Sequence, residues 1–208
     1  FRGEQEVASA KSAFIPKTRV QVYFLEDDYW FQPLTNLIYK SKNGRILSDN
    51  GERYSYFAKA VLSTLPHLFW TPDIFICNGW QSAMVPGMFK KHFDGLNEFY
   101  QDIKTVMVIH EMDEYSTVLR SELESAEVPI DKSLKGKSLN VYEVGAFQAD
   151  AIIIFDKPKN QISKKLLKKP AFKANNKKIS VINWSDEENP NYLEIADDMD
   201  KVIKKLSS

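Results

Sequence analysis

With one cysteine, eight glycines and a formal net charge of zero, this 208-residue chain is limited first by what it does not contain. The lone Cys77 rules out a disulfide framework, a cysteine-built zinc site or a dithiol redox pair within the chain. A reducing compartment, the cytoplasm, is the expectation. So few glycines leave no G-x-G-x-x-G or other glycine-rich cradle for nucleotide phosphates. Gly136-Lys137-Ser138 resembles the tail of a phosphate-binding loop, but that motif needs a glycine where Asp131 stands and a strand where the chain has SELESAEVPIDK. Twenty-eight basic residues balance twenty-eight acidic ones, so no overall field draws the chain to nucleic acid or an anionic membrane, and neither partner is expected. No apolar run approaches the roughly 18 residues that cross a bilayer. The opening FRGEQEVASA has neither the basic region nor the apolar core of a signal peptide. Starting at Phe1, it reads like the interior of a domain, and an upstream segment is expected.

What is present is an alternation. Five short apolar runs, VQVYFL (20–25), IFIC (74–77), TVMVI (105–109), AIIIF (151–155) and ISVI (179–182), are continuous rather than alternating, the pattern of parallel strands covered on both faces. Helical spacing fills the intervals. Ser48, Asp49 and Asn50 are N-cap types, followed by Phe57, Ala58, Val61, Leu62 and Leu65 up to Pro66. Residues 80–93 carry Met84, Val85, Met88 and Phe89 on one stripe, and shorter helical segments cover 139–148 and 162–167. Pro190 starts a last helix to Leu206, with Leu193, Ile195, Met199, Val202, Ile203 and Leu206 on one broad face. One α/β domain over residues 1–208 is predicted: three layers, doubly wound, around a mainly parallel sheet with right-handed crossovers. Residues 157–178 hold nine lysines and no acid, and residues 186–200 hold seven acids and no base. These read as solvated faces that neutralise each other.

Ligands of open α/β sheets bind beyond the carboxyl ends of the strands, which singles out two turns. Asn78-Gly79-Trp80 follows the second run, and Trp80 there is either a core residue or an aromatic platform. His110 closes the third run. It is the one histidine of three placed for chemistry, as a hydrogen-bonded structural group or as a proton donor and acceptor. No His, Cys or carboxylate stands at ligand spacing to it, so no metal is expected.

Taken in order, VQVYFLEDDYWFQP, SDNGERYSYFAKAVLSTL, WTPDIFICNGWQSAMVP, KTVMVIHEMDEYSTVL and LNVYEVGAFQADAIIIF resemble the N-terminal catalytic domain of bacterial glycogen synthases and plant starch synthases. The resemblance covers about residues 18–165. It implies one Rossmann-like half of a GT-B glycosyltransferase, an enzyme type that moves glucose from ADP-glucose or UDP-glucose to an α-1,4-glucan with retention and without a metal or other cofactor. By this resemblance His110 corresponds to a strand-end histidine contacting the transferred sugar. Trp80 corresponds to the tryptophan of an H-D-W turn, and Trp30 to an aromatic by the sugar. Asp49, Asn50 and Arg53 resemble a D-N-x-x-R helix start. Asp49 and Asn50 have a second reading as plain helix caps.

The departures from the family pattern bear on activity. Gly79 stands where the family has aspartate, Asn78 where it has histidine, and Glu111 where an asparagine follows the strand-end histidine. The K-T-G-G-L loop and the second Rossmann-like half are not in the sequence, and with them goes the positive charge that stabilises a departing diphosphate. The expectation is a chain inactive alone, working with a second half or partner chain. The alternative is a non-catalytic relative that binds maltooligosaccharide or α-1,4-glucan.

Overall fold

The computed structural model describes residues 1–31, 38–186 and 188–206. The chain opens with a hairpin of β1 (Ser9–Phe14) antiparallel to β2 (Gln21–Glu26), joined by a turn in which Lys17 takes φ 63° and Ile15 N–H bonds to Val20 O at 2.9 Å. This corrects the reading of 20–25 as a buried parallel strand. Gln21 and Glu26 bracket the run, and β1 beside it is exposed along its whole length, so the ribbon has one partly covered face, with Val20 and Phe24 half exposed. A local partner a few residues upstream costs little loop-closure entropy.

The short α1 (Asp28–Phe31) follows, its first amides held by the Asp27 carboxylate, and then the long α2 (Asn50–Leu68). Helix α2 runs through Pro66 instead of stopping there. Proline has no N–H to give the carbonyl four residues back. That carbonyl, Leu62 O, instead accepts the hydroxyl of buried Tyr100 at 2.8 Å, so the backbone stays satisfied. The helix ends at Phe69, in the left-handed region at φ 54° and 84% exposed.

The other four runs build the parallel sheet. β3 (Ile74–Asn78), β4 (Lys104–Ile109), β7 (Ala151–Asp156) and β8 (Ile179–Asn183) pair in that spatial order. Between β3 and β4 lie a 3₁₀ turn at Trp80–Ser82 and α3 (Val85–His92). Between β4 and β7 come the small antiparallel pair β5 (Thr117–Leu119) and β6 (Ser138–Asn140), with α4 (Arg120–Ser125) and α5 (Val141–Ala146). α6 (Ser163–Leu166) and α7 (Pro170–Ala174) lead to β8, and α8 (Tyr192–Lys204) closes the chain, its N-cap Asn191 accepting from Glu194 N–H.

Strand alternation sends side chains to two cores. Met107, Ile109, Ile152 and Ile154 face the larger one with Leu62, Trp80, Met88, Tyr142 and Phe172, drawn from α2 through α7. Val106, Val108, Ile153 and Phe155 face the other, where α8 lays Ile195, Met199 and Val202, with Leu206 just beyond its end. The three-layer α/β architecture is therefore present, with helices on both faces. Leu193, expected on the packed face of α8, is 80% exposed. At the amino edge, Asp150 accepts from Thr105 N–H (2.8 Å), Thr105 Oγ1 (2.9 Å) and Lys90 Nζ (2.9 Å), fixing the start of β4 against α3 and β7. No described helix is long and apolar enough to cross a membrane.

Candidate functional site

The sheet brings both sequence-flagged turns to one edge. Asn78 pairs with Val108 in register, and Gly79 N–H donates to Val108 O at 3.1 Å, so the turn after β3 lies against the end of β4 just before His110. Gly79 adopts φ 79°, ψ 173°, a backbone region nearly restricted to glycine. A Cβ there would lie 3.0 Å from Gln81 Oε1 and 3.5 Å from His110 Cε1. Asn78, Gly79, Gln81 and His110 therefore form one contiguous surface. Ser82 Oγ bonds Asn78 O at 2.9 Å and tightens the turn.

From this turn Trp80 points inward. It is 1% exposed, edge-on to Tyr54 (4.7 Å between ring centroids) and to Tyr39 (5.8 Å), and Tyr39 in turn meets Tyr115 at 4.9 Å. Of the two readings of this tryptophan, the fold takes the core one, because the first large apolar group after the strand is what fills the space under α2. Trp30 is likewise buried, stacked on Tyr56 at 5.0 Å and edge-on to Phe1, a separate neighbourhood from His110. Neither indole offers a free face for stacking on a sugar.

His110 is about one third exposed, with Nε2 3.9 Å from the Glu111 carboxylate. Beyond it Asp113 caps the 3₁₀ turn Glu114–Ser116 by accepting from Ser116 N–H. Burial, reinforced by the Glu111 charge, holds the Asp113 carboxyl above its usual range. Beneath lies Tyr142, fully buried, its hydroxyl pushed up by burial and further by Glu111 and Asp113. Glu111, Asp113 and Glu114 give this loop a negative field. Among the described residues no three His, Cys, Asp or Glu side chains gather to hold a metal ion.

Helix α2 begins near the same edge. Asp49 makes no side-chain cap and instead holds Arg53 Nη2 at 2.5 Å, while Asn50 Nδ2 donates to Tyr39 O at 3.0 Å, tying the helix start to the aromatic group around Trp80. Plain capping, the simpler reading of this pair, is not what either side chain does. Asn50 Oδ1 and Arg53 Nε are both buried with no hydrogen-bond partner. Tyr39, Gln81 and Tyr115 went unflagged in the sequence. Their roles depend on long-range packing that no local pattern encodes.

Residues 3–159 match the family model of the starch synthase catalytic domain. The chain belongs to that family. Among curated relatives, a glycogen synthase from Chlorobium limicola is 29% identical over 155 residues, covering 73% of this chain and 31% of that protein. A glycogen synthase from Clostridium perfringens is 38% identical over 90 residues, 43% of this chain and 17% of that protein. The starch synthase-type chain thus spans about a third or less of these relatives. Among solved structures, the catalytic domain of starch synthase IV from Arabidopsis thaliana bound to ADP and acarbose aligns with a TM-score of 0.65 at 18% identity. That alignment covers 85% of this chain and 36% of that one, and establishes a shared fold.

Proposed function

We propose that this starch synthase-type domain forms one wall of a glucosyl-transfer cleft, binding α-1,4-glucan or the transferred glucose through the polar groups at the carboxyl edge. The observation that carries this reading is the juxtaposition of His110 with the Asn78-Gly79 turn, in a chain whose family and fold are those of starch synthases. In this role His110, Asn78, Gln81 and Glu111 meet sugar hydroxyls, which need fixed donors and acceptors. Asn50 and Arg53 each keep a buried polar atom in want of a partner. Trp80 and Trp30 act from beneath, by holding the turn and the helix start in place. ADP-glucose or UDP-glucose is the donor in this reading, and a second Rossmann-like half, in the same polypeptide or a partner, completes the cleft.

A second reading, a glucan-binding relative without transfer, is favoured by the acidic loop Glu111–Glu114. Departure of a nucleoside diphosphate calls for fixed positive charge, and these carboxylates oppose it. Two measurements separate the outcomes. Titration of maltoheptaose to tens of millimolar is expected to move the His110 Cε1–H and Asn78 amide NMR signals, with affinity of about millimolar. Absence of any shift there overturns the glucan assignment. Radiolabel from ADP-glucose or UDP-glucose is expected not to enter glycogen with this chain alone. Incorporation above a heat-killed control, abolished by His110→Ala, overturns the inactivity.

A further inference from the structure

The two blocks of opposite charge in the last third of the chain end up on opposite faces of the sheet. The lysine-rich stretch 157–178 carries α6 and α7, whose Leu166, Ala171 and Phe172 pack into the larger core. Helix α8, with Glu194, Asp197, Asp198 and Asp200, packs into the other core, across the sheet. Some of these charges are satisfied close at hand. Lys169 pairs with Glu143, Lys178 Nζ donates to Ala149 O at 3.1 Å, and inside α8 Asp198 pairs with Lys201 and Asp200 with Lys204. Lys164, Lys165, Lys168, Lys173 and Lys177 are exposed and have no hydrogen-bond or ion-pair partner among the described residues. The carboxylates of Glu188 and Asp197, also exposed, make no ion pair there either. Mutual neutralisation, the expectation from sequence, is therefore not achieved at these positions within one molecule.

Each patch also has an apolar centre. Leu167, between Lys165 and Lys168, is 38% exposed, and at the start of α8 Tyr192 and Leu193 are 70% and 80% exposed, flanked by Glu188, Glu194 and Asp197. The basic face has no arginine to fork onto a phosphate and no exposed aromatic ring on which a base could stack, Phe172 being buried. Lysine ammoniums on flexible stems suit carboxylates met by charge rather than by fixed geometry. The surface that offers carboxylates around an apolar centre is the start of α8, out of reach on the same molecule and open on the next.

We propose that the basic face of α6 and α7 binds the acidic start of α8 from a second copy of this chain, with Leu193 and Tyr192 set against Leu167. The two patches differ and lie on opposite faces, so the contact is heterologous: each copy gives one patch and takes the other, and assembly continues past a dimer. Contacts of this kind, carried by exposed charges, belong to the weak and salt-sensitive class. The proposal is independent of sugar binding at the carboxyl edge and stands or falls separately.

Sedimentation equilibrium of the chain tests it. At low ionic strength, about 20 mM, the average mass should rise with protein concentration, with a Kd of about 0.1–1 mM, and should return to that of a monomer at about 0.5 M salt. Lys164→Glu with Lys168→Glu, or Glu188→Lys with Asp197→Lys, should weaken association about tenfold or more, and all four together, which exchange the two signs, should restore it. Lys132→Glu with Lys135→Glu, the same change of net charge on a different loop, should leave it unchanged. Leu193→Ser, at a position already in solvent, should weaken it with no change of charge. In a mixture of ¹⁴N and ¹⁵N chains, carbodiimide should join Glu188, Glu194 or Asp197 of one chain to Lys164, Lys165 or Lys168 of another. A chain that stays monomeric at about 1 mM in low salt overturns the proposal, as does one that is monomeric and holds a short DNA duplex on these lysines, which would name nucleic acid as the occupant. A control pair as damaging as Lys164 and Lys168, a fourfold variant that remains apart, or cross-links confined to single chains overturns it equally.

Discussion

Replacing Tyr100 by phenylalanine removes a single oxygen, yet the consequence should be large because of where that oxygen donates. Leu62 O lies inside α2, in the buried core, and its natural partner, the amide at position 66, is missing because residue 66 is proline. With the hydroxyl gone the carbonyl is buried and unpaired, a loss of about 1–3 kcal/mol. In urea unfolding, with a slope of about 2–3 kcal/mol/M for a chain of this size, the midpoint should fall by about 0.3–1.5 M. The decisive measurement is the double-mutant cycle with Pro66→Ala. Alanine restores an N–H aimed at Leu62 O, so Tyr100→Phe should be much less damaging in the Pro66→Ala background, with a coupling of about 1 kcal/mol or more. If the two substitutions add within about 0.5 kcal/mol, the tyrosine is not standing in for the absent amide. Unchanged stability of Tyr100→Phe alone would refute the reasoning as well.

At the carboxyl edge, Gly79→Ala should destabilise by about 1–3 kcal/mol, lowering Tm by roughly 2–4 °C per kcal/mol, and Gly79→Asp, the family's residue, should do no better; a calorimetric Tm equal to wild type contradicts this. Gly145→Ala would push a methyl onto the Ala83 carbonyl and to 2.8 Å from Met107 Sδ, and should lose about 1–3 kcal/mol in urea titration through displacement of α5. For Asp150, burial raises the carboxyl pKa, but the hydrogen bonds from Lys90 and Thr105 outweigh it and leave the net value lowered. Its contribution is therefore present above the unfolded value of about 3.9 and is lost as pH falls through the lower folded one, and Asp150→Asn should flatten that acid limb in urea midpoints measured against pH. The Cys77 thiol, 2% exposed and pushed up to about 12 by burial, should react with iodoacetamide in the native protein about a thousandfold more slowly than in urea, as mass spectrometry can follow.

The strands of the main sheet could be read from sequence because burial on two faces leaves its mark locally. A run such as Ala151–Phe155 has no polar position for solvent to claim. The same rule misplaced 20–25, where Gln21 interrupts the run and Ser9–Phe14, too polar to be noticed as a strand, becomes its partner. Pro66 marked a helix end on local grounds, and the hydroxyl that lets the helix continue comes from Tyr100, 38 residues downstream. At the site, the positions of His110 and Gly79 followed from strand order alone. The inward turn of Trp80 did not, because it depends on Tyr39 and Tyr54 arriving from other segments to enclose it. Asp49 and Asn50 were assigned to a helix start correctly, but what their side chains hold, Arg53 and the Tyr39 carbonyl, is a matter of tertiary packing.

The two faces of the sheet are guarded unequally. Among the described residues, one lies under helices from α2 to α7, the other under α8 with Trp184 and Leu206 on either side of it, and no residue of α8 is fully buried. Cooperative units with few buried contacts open at free energies well below global unfolding. Helix α8 is thus the natural first foldon to detach, and its release would bare Val108, Ile153 and Phe155 while the other core stayed closed. The molecule should then visit a state native on one side and adhesive on the other, and its tendency to aggregate would be set by how firmly that last helix is held.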